Sequence, residues 1–166
     1  EGEVTSIDKN NPALASFNWD TSPLPFPDRY FDATLCLDTL EHIVDIHTSF
    51  HDLLRVTKDI AVVSLPNGWR KTLKEFVRGY GSRVSYGIPP EKPFDRHKWF
   101  MNTEDIEHFF YYNAHKAGFK VESIVYHAPI RVRWHHLFPL LKYVLPKRYY
   151  KNFCVTTVFA KFKRIR

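Results

Sequence analysis

Short apolar runs alternate with amphipathic segments over much of the chain. Two of these runs, Phe31–Leu37 and Ile60–Leu65, are mostly apolar, which predicts strands buried in a sheet. Between them, apolar residues recur at helical spacing from His42 to about Thr57. The pattern therefore predicts a strand, a helix and a second strand, which is the repeating unit of a parallel α/β sheet.

Further elements flank this unit on both sides. Upstream, Val4–Asp8 and Ala15–Asp20 each have the pattern of a short strand that ends in a carboxylate, and the prolines of Thr21–Arg29 predict a stiff connector. Downstream, the sequence predicts helices over Trp69–Tyr80, from the cap Asn102 to the stop Gly118 and over Trp134–Leu145, and strands over Phe119–Tyr126 and Phe153–Phe162.

The chain is expected to form a single domain over residues 1–166, because its length and 44% hydrophobic content suit one core. Within it, residues 69–101 are largely irregular after Tyr80 and carry the polar cluster Asp95-Arg96-His97, so this segment is expected to be a lid or substrate loop. Residues 128–152 are expected to be a basic, aromatic insertion before the last strand.

Charge is distributed unevenly. The net charge is +6, yet ten Lys and Arg and no acidic residue follow Glu122, which leaves about four net negative charges on residues 1–122. The basic end fits an anionic partner, whether phosphate, nucleic acid or lipid headgroup, and it equally fits a solvated rim with no partner. Aromatic residues interleave with its cations, a composition that suits stacked bases or a membrane surface.

The two cysteines bear on the compartment. Cys36 and Cys154 lie far apart in apolar runs, which favours reduced, buried thiols over a disulfide. No apolar run approaches the about 20 residues of a bilayer span, and the first residues lack the features of a signal peptide. We therefore expect a cytoplasmic protein, with peripheral attachment to a membrane as an option.

Six short motifs follow one another along the chain. They are Leu24-Pro25-Phe26-Pro27-Asp28, Phe31-Asp32, Leu40-Glu41-His42, Arg55-Val56, Ser64-Leu65-Pro66-Asn67 and Ala117-Gly118-Phe119. In order and approximate spacing they resemble the class I S-adenosylmethionine-dependent methyltransferases with a type 11-like domain. The resemblance covers about Val4 to Tyr126, and Phe153–Lys163 matches the last strand. It implies a doubly wound, Rossmann-like α/β sheet that is mostly parallel with an antiparallel last strand.

The resemblance also implies a cofactor, S-adenosyl-L-methionine, and residues that contact it. Asp8 would accept the ribose hydroxyls, a role that suits an acceptor-only carboxylate. Asp20 and Thr21 would lie at the adenine, and Leu37 and Asp38 at the methionine end. The alternative is that Asp8 and Asp20 are ordinary turn formers at strand ends.

One part of the family pattern is missing from the sequence. The glycine-rich loop that follows the family's first strand has no counterpart, because only three residues precede Val4. The sheet is therefore expected to be incomplete at its N-terminal side, beginning at the family's second strand. A fragment and a domain that has lost half of its cofactor pocket both fit this pattern.

The segment after the first buried strand carries candidate chemistry. Asp38, Glu41 and His42 have the spacing of one helix face, and their donor atoms suit a divalent metal. Glu41 equally suits the positive end of a helix, and many members of the resembled family carry Leu-Glu-His without a metal, so no metal is assigned. His42 is a candidate general base, since an ordinary imidazole pKa is about 6.5. His97 is a comparable candidate, and a structural role is the alternative for its cluster.

Three functions are consistent with the sequence. The first is methyl transfer to an oxygen or nitrogen atom of a small or anionic substrate, which could be phosphorylated or lipid-linked. The second is a non-catalytic module of the same fold that binds a partner through its basic C-terminal region. The third, less favoured, is a metal-assisted RNA methyltransferase, for which nucleic acid would be the partner.

Overall fold

The structure is a computed structural model, and it describes residues 4–5, 17–81, 86, 88–93, 95–128 and 143–166. Asp8 lies outside the described residues, as does most of the predicted strand Val4–Asp8. The same holds for most of the predicted helix Trp134–Leu145.

A four-stranded sheet organises the described residues. Its strands are β1 (Phe31–Leu37), β2 (Thr57–Pro66), β3 (Phe119–His127) and β4 (Thr157–Arg164), and their spatial order is β1-β2-β4-β3. β1 and β2 are parallel, whereas β4 runs antiparallel to both of its neighbours, β2 and β3. Three strands therefore share one direction and the last strand opposes them, which confirms the predicted sheet.

The helices that the described residues show in full are α1 (Ile46–Val56), α2 (Gly68–Val77), α3 (Thr103–Lys116) and α4 (Lys147–Cys154). α1 and α3 pack against each other and against the sheet. The rings of Phe50, Phe110 and Phe162 meet at the centre of this core, with centroids 5.2–6.0 Å apart. The predicted burial of β1 is wrong for the described residues: Cys36 is its only buried residue, and Leu35 and Leu37 are 72% and 48% exposed, because no neighbouring strand lies on the far side of β1 in the described sheet.

The predicted helix from Asn102 to Gly118 is confirmed, and its ends show why it forms there. The Asn102 side chain accepts the backbone N–H of Asp105, and the Asp105 side chain accepts that of Asn102, which makes a capping box. Gly118 ends the helix at a φ of 77°, a left-handed conformation that glycine adopts without strain.

The helix predicted to start at His42 begins instead at Ile46. A separate 3₁₀ turn spans Leu40–His42, and the chain then leaves helical geometry for three residues. Asp45 caps α1 by accepting the N–H of Thr48 at 3.0 Å. Asp20 accepts the N–H of Val44 at 2.6 Å, which removes that donor from any continuous helix.

Two predicted strand boundaries are also wrong. Over its described part, residues 17–20, the predicted strand Ala15–Asp20 is a turn, because Asn18 accepts the backbone N–H groups of Asp20, Thr21 and Ser22. The last strand begins at Thr157 and not at Phe153, because α4 continues to Cys154.

The predicted burial of the thiols is confirmed. Cys36 and Cys154 are free and buried. Burial raises the pKa of the Cys36 thiol to about 12, so this thiol stays protonated and unreactive at neutral pH. Among the described residues, no helix combines the length and the apolar character that a bilayer crossing requires.

The basic C-terminal region is partly neutralised by its own fold. Three of its cations make ion pairs with acidic residues from the preceding helix and strand, namely Arg148 with Glu104 at 3.0 Å, Lys151 with Glu107 at 2.6 Å and Lys161 with Glu122 at 2.6 Å. A fourth, Arg164, donates to the backbone carbonyls of Leu54, Thr57 and Lys58. Four cations of the basic region therefore stabilise the fold through ion pairs or hydrogen bonds.

A polar clamp holds the proline-rich connector against α1. The buried carboxylate of Asp52 accepts the N–H of Leu24 at 2.6 Å, the indole N–H of Trp19 at 3.1 Å and the guanidinium of Arg55 at 2.9 Å. Arg55 in turn donates to the carbonyls of Leu24 and Phe26. Side chains of α1 thus fix the path of the chain into β1.

Replacing Asp52 tests this clamp. Asp52→Ala leaves buried donors and a guanidinium without their acceptor, so we expect a loss of about 2–4 kcal/mol in the free energy of unfolding, measured by urea denaturation. Asp32→Ala is the control, because it removes only an exposed ion pair with Lys58 and should cost less than about 1 kcal/mol. Equal losses in the two variants would contradict the clamp.

Candidate active site

The candidate site lies where β1 and β2 end at one edge of the sheet. Leu37, the last residue of β1, is paired with Ser64 of β2. Asp38 follows with a φ of 47°, a left-handed conformation that Asp tolerates better than most residues. The buried Ser64 hydroxyl accepts the Asp38 N–H at 2.9 Å and donates to the Asp38 carboxylate at 2.7 Å. Ser64 therefore fixes the point at which the chain leaves the sheet.

The structure separates three residues that the sequence predicted on one helix face. Asp38 stays at the end of β1, held by Ser64, whereas Glu41 and His42 lie in the 3₁₀ turn. Leu40 and Glu41 are 0% and 1% exposed, and the apolar Leu40 anchors the turn in the hydrophobic core. The predicted helix face of Asp38, Glu41 and His42 does not exist.

Glu41 is an unusual carboxylate. Its Oε1 lies 3.8 Å from His42 Nε2, and its buried Oε2 makes no hydrogen bond with any residue that the structure describes. Burial raises the pKa of Glu41 to about 7, because an ionised carboxylate loses its hydration there, and the nearby His42 offsets part of this effect. A buried carboxyl oxygen without a donor among the described residues is energetically costly.

A distant segment docks onto the turn. The backbone N–H of Lys98 donates to the Glu41 carbonyl at 2.7 Å, and the indole N–H of Trp99 donates to the Ile43 carbonyl at 2.8 Å. This docking places Asp95 Oδ1 at 2.9 Å from His42 Nδ1. The structure thus joins His42 to the polar cluster of the predicted substrate loop.

The same segment brings His97 against His42. The two imidazole rings meet edge to face, with centroids 4.8 Å apart and planes at 81°. His97 Nδ1 lies 3.2 Å from the hydroxyl of Tyr86. Burial lowers the pKa of His97, and His42 lowers it further, so the neutral imidazole is favoured. Burial and the charge of Glu41 raise the pKa of Tyr86 to about 12, which keeps its hydroxyl protonated.

The start of α2 closes one side of this cluster. Asn67, at the end of β2, caps α2 by accepting the N–H of Trp69, and the N–H of Gly68 donates to the Met101 carbonyl. A Cβ on Gly68 would lie 2.6 Å from the Tyr86 hydroxyl and 3.0 Å from the Phe100 ring. Glycine is therefore needed here so that Tyr86 can approach the backbone.

The predicted adenine-side residues occupy a separate cleft beside α1. Asp20 and Thr21 line a cavity of about 390 Å³ together with Trp19 and with Asp45 and Thr48 at the start of α1. The hydrogen bond from Val44 to Asp20 connects this cleft to the turn that carries His42. Leu37 and Asp38 lie at the end of β1, and Asp8 falls outside the described residues.

Sequence reasoning missed two members of the site. Tyr86 lies in an irregular segment whose sequence gives no sign of its contact with His97. Ser64 was read only as part of a buried strand and a motif, although a hydroxyl near the end of a buried strand is a signal for a polar contact with the neighbouring strand. His42, Asp95 and His97 were all candidates, but their contact depends on the docking of residues 95–99.

Comparisons with known proteins bear on the fold of the chain. Residues 3–64 match the family model of a methyltransferase domain. A S-adenosylmethionine-dependent methyltransferase from Methanosarcina mazei superposes with a TM-score of 0.52 at 12% identity, over 89% of this chain and 65% of that chain. No curated protein matches the sequence of this chain.

Two further structures have similar folds. One comes from the complex between the Haloferax volcanii Trm112 methyltransferase activator and a methyltransferase, with a TM-score of 0.50 at 13% identity over 90% of this chain and 59% of that chain. The other is the [4+2]-cyclase SpnF, with a TM-score of 0.51 at 15% identity, over 95% of this chain and 59% of that chain. The chain has the class I methyltransferase fold. The resemblance predicted from its motifs is confirmed at this level.

The chain matches only part of each similar structure. This methyltransferase-fold chain spans 59–65% of the length of the three similar structures. One of the three is named as a cyclase, so the fold alone does not fix the reaction, and the activity has to be argued from the site.

Gly68→Ala tests the packing around Tyr86. The new methyl group would overlap the Tyr86 hydroxyl, so we expect a loss of about 1–3 kcal/mol in the free energy of unfolding, read from thermal or urea denaturation. Gly81→Ala is the matched control, since a Cβ at Gly81 meets nothing within 4 Å. A Gly68→Ala variant as stable as Gly81→Ala would show that Tyr86 does not press on this glycine.

Proposed function

We propose that the protein carrying this chain is an S-adenosylmethionine-dependent methyltransferase that acts on an oxygen or nitrogen atom of a small, anionic acceptor. The observation that carries the proposal is the cluster of His42, His97 and Tyr86 at the edge where β1 and β2 end. Ligands of open α/β sheets bind at the carboxyl ends of the strands, and this edge holds a family-matched turn with polar side chains.

The residues at this edge fit the cofactor. Leu37 is a half-exposed apolar side chain at the end of β1, next to the left-handed Asp38 whose position Ser64 fixes. We propose that Leu37 and Asp38 hold the methionine end. Asp20 and Thr21 line the cleft beside α1, and we propose that they hold the adenine. Asp8 is proposed for the ribose by resemblance alone. When bound, S-adenosylmethionine supplies an electrophilic methyl group.

His42 and His97 are proposed as the catalytic pair. Their rings pack edge to face, and each has an oxygen partner at Nδ1, which fixes the orientation of both imidazoles. Groups held in this way can bind and orient an acceptor, and methyl transfer by direct displacement depends strongly on such positioning. Neutral imidazole can also take the acceptor's proton.

The surroundings of the site suggest how the acceptor enters. We propose that residues 69–101 act as the lid or substrate loop of a single domain, because this segment supplies Tyr86, Asp95 and His97 to the cluster. We also propose that cations of the basic region that make no ion pair attract a phosphorylated or lipid-linked acceptor. The free, buried thiols support a cytoplasmic location, with peripheral attachment to a membrane as an option.

The other two functions have less support. A partner-binding module would use the basic C-terminal region, but three of its cations already pair with Glu104, Glu107 and Glu122. The RNA methyltransferase was based on a metal held by one helix face of Asp38, Glu41 and His42; that face is not formed, so a metal at this edge would need a different set of ligands.

Binding of the cofactor tests the proposal. Titration calorimetry of S-adenosylmethionine into the purified protein should show one site, and Asp20→Asn should weaken it roughly tenfold, the size of one hydrogen bond to a charged group. The asparagine oxygen can still accept the Val44 N–H, so the fold around α1 is retained.

Asp32→Asn is the control for this titration. Asp32 is exposed near the start of β1, and its ion-pair partner among the described residues is the exposed Lys58. Its affinity should equal that of the unaltered protein. No heat of binding at millimolar cofactor, or equal affinities for the two variants, would refute the assigned cofactor site.

A further inference from the structure

Three side chains of the site lie close together and offer the kinds of atom that bind metal ions. Glu41, His42 and His97 each offer one ligand atom, and these atoms lie within 4.8 Å of one another in the part of the chain that the structure describes. They come from two segments 55 positions apart in the sequence, joined by the hydrogen bond from the Lys98 N–H to the Glu41 carbonyl. The cluster is thus assembled by contacts between two distant segments.

The outer partners of the two histidines have the arrangement that metal ligands need. His42 Nδ1 lies 2.9 Å from Asp95 Oδ1, and His97 Nδ1 lies 3.2 Å from the Tyr86 hydroxyl. In both residues Nε2 is the remaining ring nitrogen, and in His42 it is the atom that faces Glu41. Histidine ligands commonly carry a carboxylate or another oxygen on the nitrogen that does not touch the metal.

Glu41 provides an independent observation. Its side chain is 2% exposed, and its Oε2 has no hydrogen-bond partner among the described residues. A buried carboxylate oxygen without a donor is costly, and a cation is one of the few groups that would satisfy it. The orphan atom belongs to the same residue whose Oε1 lies 3.8 Å from His42 Nε2.

We propose that Glu41, His42 and His97 bind one divalent transition-metal ion, with Zn²⁺ as the best fit. Two imidazoles and one carboxylate suit zinc and its neighbours, whereas Mg²⁺ and Ca²⁺ prefer oxygen ligands alone. Zinc bonds of about 2.0–2.2 Å require ligand atoms roughly 3.3 Å apart. Small side-chain rotations of Glu41 and the histidines would close the present gaps.

The metal would add an acceptor-binding position to the proposed methyltransferase site, but the metal proposal does not depend on methyltransferase activity. Three protein ligands leave one position of a tetrahedral ion open, as in catalytic zinc sites, and an oxygen of the acceptor could occupy it. His42 and His97 would then act on the acceptor through the ion. Because metal binding is measured without cofactor or turnover, its failure leaves the methyltransferase proposal standing, and the reverse also holds.

Metal titration of the chelator-treated protein tests the site. Zn²⁺ should bind at one ion per chain by calorimetry, and Co²⁺ should give visible d–d absorption from nitrogen and oxygen ligands.

Variants of the three ligands give the sharper test. Glu41→Gln, His42→Ala and His97→Ala should abolish this absorption and strongly lower the affinity for Zn²⁺. Asp95→Asn should weaken Zn²⁺ by about 10–100-fold, as loss of an outer partner does. His108→Ala, at an exposed position of α3, should change neither signal.

Circular dichroism of the metal-free variants separates a lost ligand from a lost fold. Glu41→Gln keeps the size of the side chain and removes a buried charge, so this variant should remain folded. The inference is overturned if Zn²⁺ fails to bind at millimolar concentration. It is equally overturned if folded Glu41→Gln and His97→Ala bind Zn²⁺ as tightly as the unaltered protein, which would mean that surface histidines take up the ion.

Discussion

The site depends on how the turn Leu40–His42 is seated in the core. Leu40 and Glu41 of this 3₁₀ turn are both buried, Leu40 in the hydrophobic core and Glu41 where the segment of Lys98 docks onto the turn. The apolar side chain gains about 2 kcal/mol from burial, whereas the carboxylate loses its hydration. The turn therefore holds a buried carboxyl group, with one oxygen unsatisfied among the described residues, at the edge of the sheet.

Two other parts of the chain secure this arrangement. Ser64 fixes Asp38 in a left-handed conformation and so sets the direction in which the turn leaves β1. On the far side, the Trp99 indole and the Lys98 N–H bind the carbonyls of the turn, which brings His97 to His42. The α1 clamp holds Trp19, which lines the cleft of Asp20 and Thr21, through the Asp52 carboxylate. These contacts fix the turn without using the side chains of His42 and His97.

Local sequence patterns predicted the regular elements well. The strands β1 and β2 and the cap at Asn102 depend on neighbouring residues only, and each is confirmed, whereas the predicted burial of β1 is not. The helix start at His42 was wrong because Asp45 and the distant Asp20 compete for the backbone donors of that segment. The contact of His97 with His42 and Tyr86 likewise depends on docking between residues far apart, which periodicity does not report.

Transfer of a radiolabelled methyl group tests the account most directly. The purified protein, supplied with S-adenosylmethionine labelled in its methyl group and a small-molecule extract of anionic metabolites, should label an acceptor. His42→Ala and His97→Ala should each lower the rate by at least about 100-fold, the lower end of what a positioned acid–base group contributes, while His108→Ala keeps it. Labelling that is absent, or that persists undiminished in both histidine variants, would contradict the assignment of this edge as an active site.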